Sequence, residues 1–251
     1  MAQLTVQLVG GPTALLAYAG ARLLTDPTFD PPQVYRTGSV TLTKVTGPAL
    51  SPAAIGPVDA VLISHDHHAD NLDTAGRALA GGMPRVLTTV AGAARLGPPA
   101  RGLRPHDQVD LGDVRITAVP APHGSPEVGL TNGPVIGFVL ESPGQPTVYV
   151  SGDNASLDVV AGIAERFPGI EVAVLHLGAA KVPARGDVFL TLTADDAVRA
   201  AALLGVRAVV PVHQEGWLHF TQGPDRVVRA FGDAGRSDLL VDLRAGASAT
   251  L

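Results

Sequence analysis

Four apolar, strand-like segments of this chain each run directly into a residue that can bind a metal. Val58–Ser64 leads into His65, and the segment ending near Val119 leads through Pro120-Ala121-Pro122 into His123. Thr147–Ser151 leads into Gly152-Asp153, and Ala208–Val212 into His213. In a layered sheet structure the strand ends gather on one rim, and loops held there by a rigid scaffold are where sites form. The pattern therefore asks for a fold that delivers four separate strand ends to one place. Taken singly, a histidine near a strand end is more often a satisfied structural residue, and an Asp after a Gly is usually a turn residue. The first segment carries more weight. Residues 65–73 read His-Asp-His-His-Ala-Asp-Asn-Leu-Asp, with three of the chain's eight histidines in four positions. Imidazoles packed this closely repel when protonated, so the cluster needs a reason. Neutral imidazole and carboxylate together suit zinc, and also manganese or iron.

Composition narrows the chemistry. Cysteine is absent from the 251 residues, which removes disulfides, thiolate metal sites and a cysteine nucleophile. Any metal must be held by nitrogen and oxygen. The net charge of −5 gives no global basic footprint for nucleic acid. No apolar run approaches the ~18 residues that span a bilayer. Met1-Ala2-Gln3-Leu4 lacks a basic segment followed by an apolar one, so a cytoplasmic location and no membrane partner are expected. There is no Gly-x-Ser-x-Gly elbow, no phosphate-cradling Gly-x-x-x-x-Gly-Lys-Ser/Thr and no dinucleotide fingerprint.

Turn residues divide the chain into short elements. Leu4–Val9, Ala14–Tyr18 and Arg22–Thr25 read as a β-meander. Thr28–Leu50, with Pro31-Pro32, Gly38 and Gly47, reads as one long loop. Helices are predicted at Thr74–Ala80, Val90–Leu96, Leu157–Phe167, Thr193–Leu204 and Pro224–Ala234, with Thr193 as a cap and Gly205 as a stop. Further strands are predicted at Arg85–Thr88, Val109–Val119, Val135–Glu141 and Glu171–Leu177, and a last one at Leu239–Leu243. A strand-rich first half and an alternating second half, without a linker, predict one α/β domain over 1–251 with two sheets and outer helices.

With Gly10-Gly11-Pro12-Thr13, Leu23-Leu24-Thr25-Asp26-Pro27, Ser64-His65-Asp66-His67, His123, Ser151-Gly152-Asp153, Leu192-Thr193-Ala194-Asp195-Asp196-Ala197 and Val210-Pro211-Val212-His213 in this order, the chain resembles the metallo-β-lactamase superfamily. It looks most like the small cytoplasmic branch that includes the ascorbate-6-phosphate lactonase and N-acyl phosphatidylethanolamine phospholipase D types. The resemblance implies a four-layer αββα sandwich, two mixed sheets flanked by helices, with the metals at one edge. The family pattern is His-x-His-x-Asp-His, and the chain departs from it. Read without a gap from His65, it yields His65 and His67, then Ala69 in the Asp place and Asp70 in the last His place. With one inserted residue, Asp70 takes the Asp place and Asn71 the last His place. Read backward from Asp70, His68 is the second histidine and Asp66 replaces the first. An amide is a poor substitute for imidazole.

The resemblance implies a first metal on His65, His67 or His68 or both, and His123. Asp153 would bridge, and Asp70 with His213 would hold a second ion. One or two divalent ions, zinc first and manganese or iron as alternatives, are the implied cofactor. The implied activity is hydrolysis of a small ester, lactone or phosphodiester by a metal-bound hydroxide, with Asp70 as the catalytic residue that orients the water or carries its proton. A ligand-binding protein of the same fold that has lost hydrolysis is the alternative, and a nuclease fits the acidic balance less well. Asp26 stands to hydrogen-bond a ligand imidazole, or is a plain Asp-Pro turn. Trp217 and His219, just after His213, form either a substrate wall or a loop packed on its own aromatics. His176, on an apolar strand, reads as structural, and Lys181, Arg185 and His106 as solvated residues.

Overall fold

The meander forms as the alternation predicts. β1 (Leu4–Gly10), β2 (Thr13–Tyr18) and β3 (Ala21–Thr25) pair antiparallel in the computed structural model, which describes residues 3–125, 128 and 133–251. The next segment departs from the loop expected at 28–50. β4 (Gln33–Thr37) and β5 (Val40–Lys44) make a hairpin that is exposed on most of β4. Its pairing is local, but its seat is remote: Lys44 bridges to the backbone of Trp217, and Tyr35 packs on the Trp217 ring at 5.4 Å. A short helix α1 (Pro52–Ile55) leads to β6 (Ala60–Leu62), and α2 (Thr74–Gly81), β7 (Val86–Thr89), α3 (Val90–Leu96) and β8 (Ala100–Leu103) follow.

The first sheet has the order β15-β1-β2-β3-β6-β7-β8, with β3, β6, β7 and β8 parallel. The second is built from β9 (Gln108–Leu111), β10 (Val114–Pro120), β11 (Ile136–Glu141), β12 (Thr147–Val150), β13 (Ile170–His176) and β14 (Ala208–Val212), in the order β14-β13-β12-β11-β10-β9. Helices α4 (Leu157–Arg166), α5 (Ala194–Leu204) and α6 (Pro224–Asp233) complete the described helices. Thr193 caps α5 in a reciprocal pair with Asp196, and Gly205 ends it in the left-handed conformation at φ 66.

Sheet alternation sets the layers. Leu62, Val172 and Val174 face the core between the sheets, where they meet Leu16, Ile116 and Phe138. Their neighbours Val61, Ala173 and Leu175 face outward, Val61 toward Ile55 and Ala80, the other two toward α4, α5 and α6. Strands buried on both faces read as continuous apolar runs, as these do. The result is the αββα sandwich. The carboxyl end of the chain departs from expectation. Leu239 closes a short 3₁₀ turn and Leu240 makes only an isolated bridge to Val209. The edge strand is β15 (Ser248–Thr250), whose polar residues pair with β1 and carry little apolar signal. Among the described residues no helix is long and apolar enough to cross a membrane.

A buried charged hub ties the hairpin to this scaffold. Asp73 caps α2 through the Gly76 amide and also accepts from the Phe29 and Asp30 amides and from Lys44 Nζ at 2.9 Å. Asp30 accepts from Tyr35 and from the Thr74 and Ala75 amides. Removing one partner of a buried pair strands the other charge. Asp73→Ala is therefore expected to cost about 3–5 kcal/mol in urea unfolding, and adding Lys44→Met should restore part of it. A loss no larger than that of a surface substitution would show the pair to be unimportant.

Candidate metal centre

The strand directions bring the expected ends together. β10 and β12 each run antiparallel to β11, and β12, β13 and β14 are parallel. His123, Asp153 and His213 therefore leave the second sheet at the same end. β3 and β6 are parallel in the first sheet and deliver Asp26 and His65 to the facing rim. The rim is stitched across the sheets. Ile136 N–H donates to Ser64 O at 3.1 Å, and His213 N–H donates to Gly11 O at 2.7 Å. Gly152 has φ +56, and a Cβ there would lie 3.0 Å from Ser64 Cβ and closer still to Ile136 O, so no side chain fits before Asp153.

Three overlapping groups of donor atoms result, each within 4.8 Å: His65, His67 and His68; His65, His123 and Asp153; and Asp70, Asp153 and His213. All seven sequence-predicted donors lie in this one cluster. His65 Nε2 sits 2.9 Å from His68 Nδ1, and Ser64 Oγ contacts His65 Nδ1 at 3.0 Å. His123 Nδ1 is 3.7 Å from Asp153 Oδ2. His213 Nε2 lies 3.3 Å from Asp70 Oδ2 and 3.6 Å from Asp153 Oδ1.

The electrostatics fit a cation. His213 Nδ1 donates to the Leu177 carbonyl at 3.2 Å, which turns Nε2 toward the carboxylates of Asp70 and Asp153. Burial alone would lower His213, yet the charges of Asp153 and Asp70 raise it to about 9. A positive charge is demanded at that point. Burial, and then the neighbouring rings, hold His65 well below its ordinary value and push His68 down to about 3; burial also lowers His123. Neutral imidazoles are the form that binds metal. Asp70 Oδ1, Asp153 Oδ2 and His213 Nε2 are buried without a hydrogen-bond partner among the described residues. Three bare donors beside neutral rings suit a divalent ion held by nitrogen and oxygen.

Residues outside the cluster have other tasks. Asp66 points away from it, taking Arg95 in a two-pronged pair, while Arg77 donates to its carbonyl at 2.7 Å. The alternative in which Asp66 replaces the first histidine is thereby overturned. Burial would raise Asp66, but Arg95 holds it well below the usual carboxylate range. Asp26 accepts from the Ser64 amide at 2.7 Å and contacts His176 Nε2 at 2.9 Å, so its imidazole partner is His176, whose ring lies 5.6 Å from that of His213. Asp26 and His213 both hold positive φ, 32 and 57, strain of the kind that gathers at functional sites. His219 Nε2 contacts Asp70 Oδ2 at 2.9 Å. Trp217 is 3% exposed and packs with Leu42 behind the cleft. Lys181 pairs with Asp187, and His106 is exposed. Lys44 gave no signal in the sequence, because its importance lies in contacts far along the chain.

A profile described as the beta-lactamase superfamily domain matches residues 21–214. The chain belongs to this superfamily. Its layering is that of the metallo-β-lactamase fold. A metal-dependent hydrolase of Pelotomaculum thermopropionicum is 31% identical over 192 residues, 72% of this chain and 78% of that one. Among solved structures, an isothiocyanate hydrolase from Delia radicum gut bacteria matches with a TM-score of 0.84 at 21% identity over 98% of both chains. A possible metal-dependent hydrolase from Veillonella parvula matches with 0.86 at 18% identity over 100% of both. At these identities the structural likeness speaks for the fold alone. Membership places the chain in a family of metal-dependent hydrolases.

The buried rings predict a pH signature for metal-stripped protein. Between about 3 and 6.5 the unfolded chain takes up a proton that His68 refuses, so stability falls as pH drops through that window. His213 acts the other way: its contribution is complete below 6.5 and is lost as pH rises to about 9. The melting temperature of chelator-treated protein should peak near 6.5, and His68→Gln should flatten the acid side. A flat profile between about pH 5 and 8 would contradict the buried neutral rings.

Proposed function

We propose that the whole chain, 1–251, acts as one catalytic domain, a metal-dependent hydrolase of a small ester or lactone with an apolar substituent. One observation carries this reading: a cleft opens directly on the donor cluster, with His68, Asp70, His123 and His219 on one side. Val40, Leu42, Val182 and Leu190 face them from the other side, and ligand pockets combine such apolar walls with a few polar groups. Zinc is the favoured ion, with manganese or iron as alternatives that the same donors accept. A divalent cation held there would supply an activated water and polarise the bond to be cleaved. The protein's part is to place groups around that chemistry. His219 holds Asp70 Oδ2, which leaves Oδ1 bare and aimed from a fixed carboxylate. Asp70 orients the attacking water and accepts its proton. His219, which lines the cleft, steadies Asp70 and contacts the leaving group. Trp217 supports the wall through Leu42 and Tyr35 without lining the cleft.

Arg185 at the mouth of the cleft favours a second reading, a phosphodiester whose charge it would offset. The isothiocyanate hydrolase likeness adds a third substrate type to the screen. Zinc-loaded protein should turn over aryl esters or lactones in preference to bis-aryl phosphates, and isothiocyanates are assayed beside them. Asp70→Asn should lower kcat/KM by about 10²–10⁴-fold with the ion retained. Metal-loaded protein that binds these compounds and cleaves none would instead be a ligand-binding protein. Preferred cleavage of the phosphate, lost in Arg185→Ala, would select the second reading.

A further inference from the structure

The segment that departs most from the family pattern, 65–71, places its side chains in two directions. His65 Nε2 and His68 Nδ1 approach to 2.9 Å. The other nitrogen of His65 meets Ser64 Oγ at 3.0 Å, and that oxygen also receives the Asn71 amide Nδ2 at 3.4 Å. A hydroxyl oxygen has two lone pairs and can accept from both. With its proton on Nδ1, His65 would turn its Nε2 lone pair toward His68. This is how an outer partner sets the tautomer of a ligating imidazole. The His68 ring continues the array, 5.2 Å from the ring of His123, which in turn faces Asp153.

His67 lies on the outer side of the cluster, its ring 4.8 Å from that of His65 and 4.4 Å from that of His68. Its side chain is 23% exposed, and its Nδ1 lies 3.9 Å from Asp66 Oδ1, the carboxylate anchored by Arg95. It borders the outer groove beside Tyr35 and Thr37, whereas His68 borders the inner cleft as well. The second position, Asp70, Asp153 and His213, shows a different departure. Where the family pattern has an imidazole, Asn71 turns its amide N–H to Asp153 Oδ1 at 3.0 Å. A carbonyl would not face that carboxylate, so the donor orientation is set. The positive end of the amide dipole occupies the place of a lone pair.

We propose that this chain holds a single divalent ion on His65, His68, His123 and Asp153. His68 takes the role that the family pattern gives to the second histidine, and Asn71 blocks the second position. His67 is left to face the groove that substrate enters. The proposal rests on the metal-dependent reading above and specifies its site.

The test is metal content, read by elemental analysis on untagged protein loaded with excess zinc and gel-filtered, with circular dichroism as the check on folding. Wild type should carry one ion per chain. His68→Gln should lose it, and His67→Gln should keep it. Asn71→His, which restores the lone pair, should raise the content to two. Ser64→Ala should weaken zinc binding by about 10–100-fold in competition with a chelator. The visible spectrum of the cobalt-substituted protein should change in His68→Gln and not in His67→Gln. Two ions in wild type, or loss in His67→Gln with retention in His68→Gln, would overturn the assignment while leaving a metal-dependent enzyme. Folded wild type that binds no zinc, manganese or iron would overturn the metal-dependent reading itself.

Discussion

Asp70 and Asp153 sit out of water against the same imidazole, and the rest of the rim answers to that fact. Their donor atoms and that of His213 lie within 4.8 Å of one another. Two like charges at that distance repel by roughly 3–4 kcal/mol at an effective dielectric near 20. The chain offsets the repulsion locally: His219 and His213 contact Asp70, and Asn71 donates to Asp153. Even so, one oxygen of each carboxylate stays bare. The bare oxygen of Asp153 lies 3.7 Å from His123 Nδ1, on the side of the imidazole cluster, while Asn71 occupies its other oxygen.

The scaffold makes that arrangement possible. Donors come from the ends of β6, β10, β12 and β14, and every cross-sheet tie near them is a backbone or buried side-chain bond. Asp26 is the clearest case. It leaves β3 at φ 32, caps the Ser64 amide in one sheet and holds His176 of the other. His213, also in a left-handed conformation, is pinned at its backbone by Gly11 and at its ring by Leu177. Strain of this kind persists only where surrounding contacts over-determine it. The hairpin of β4 and β5, fastened through Lys44, Asp73 and Trp217, then closes one wall of the cleft over the donors.

The element pattern was largely legible because sheet alternation and caps are local. Val58–Ser64 is apolar whichever layer it enters, and Thr193 caps α5 through a residue three positions on. The misses share a cause. β4 and β5 lie in a stretch rich in Pro and Gly, and what makes them a hairpin is a platform near residue 217. Leu239–Leu243 is apolar enough for a strand, yet it packs against α6 and β14 without a ladder, while polar Ser248–Thr250 finds the open edge of β1.

The sequence by itself determined that nitrogen and oxygen donors would stand at four strand ends, that no thiolate chemistry was available, and that one family would supply the fold. The first two follow from residue type and local periodicity, and the last from the resemblance carried by the ordered motifs. It left His67 and His68 equivalent, because spacing along a loop does not say which ring turns inward. Only the tertiary structure decided that. Asp66 is held by Arg95 of α3, His67 borders the outer groove, and the His68 ring lies 5.2 Å from that of His123. Asn71 likewise reads in the sequence as a lost ligand. In the fold it is a donor to Asp153, 82 residues away, and long-range pairing of that kind is written in geometry that no local pattern carries.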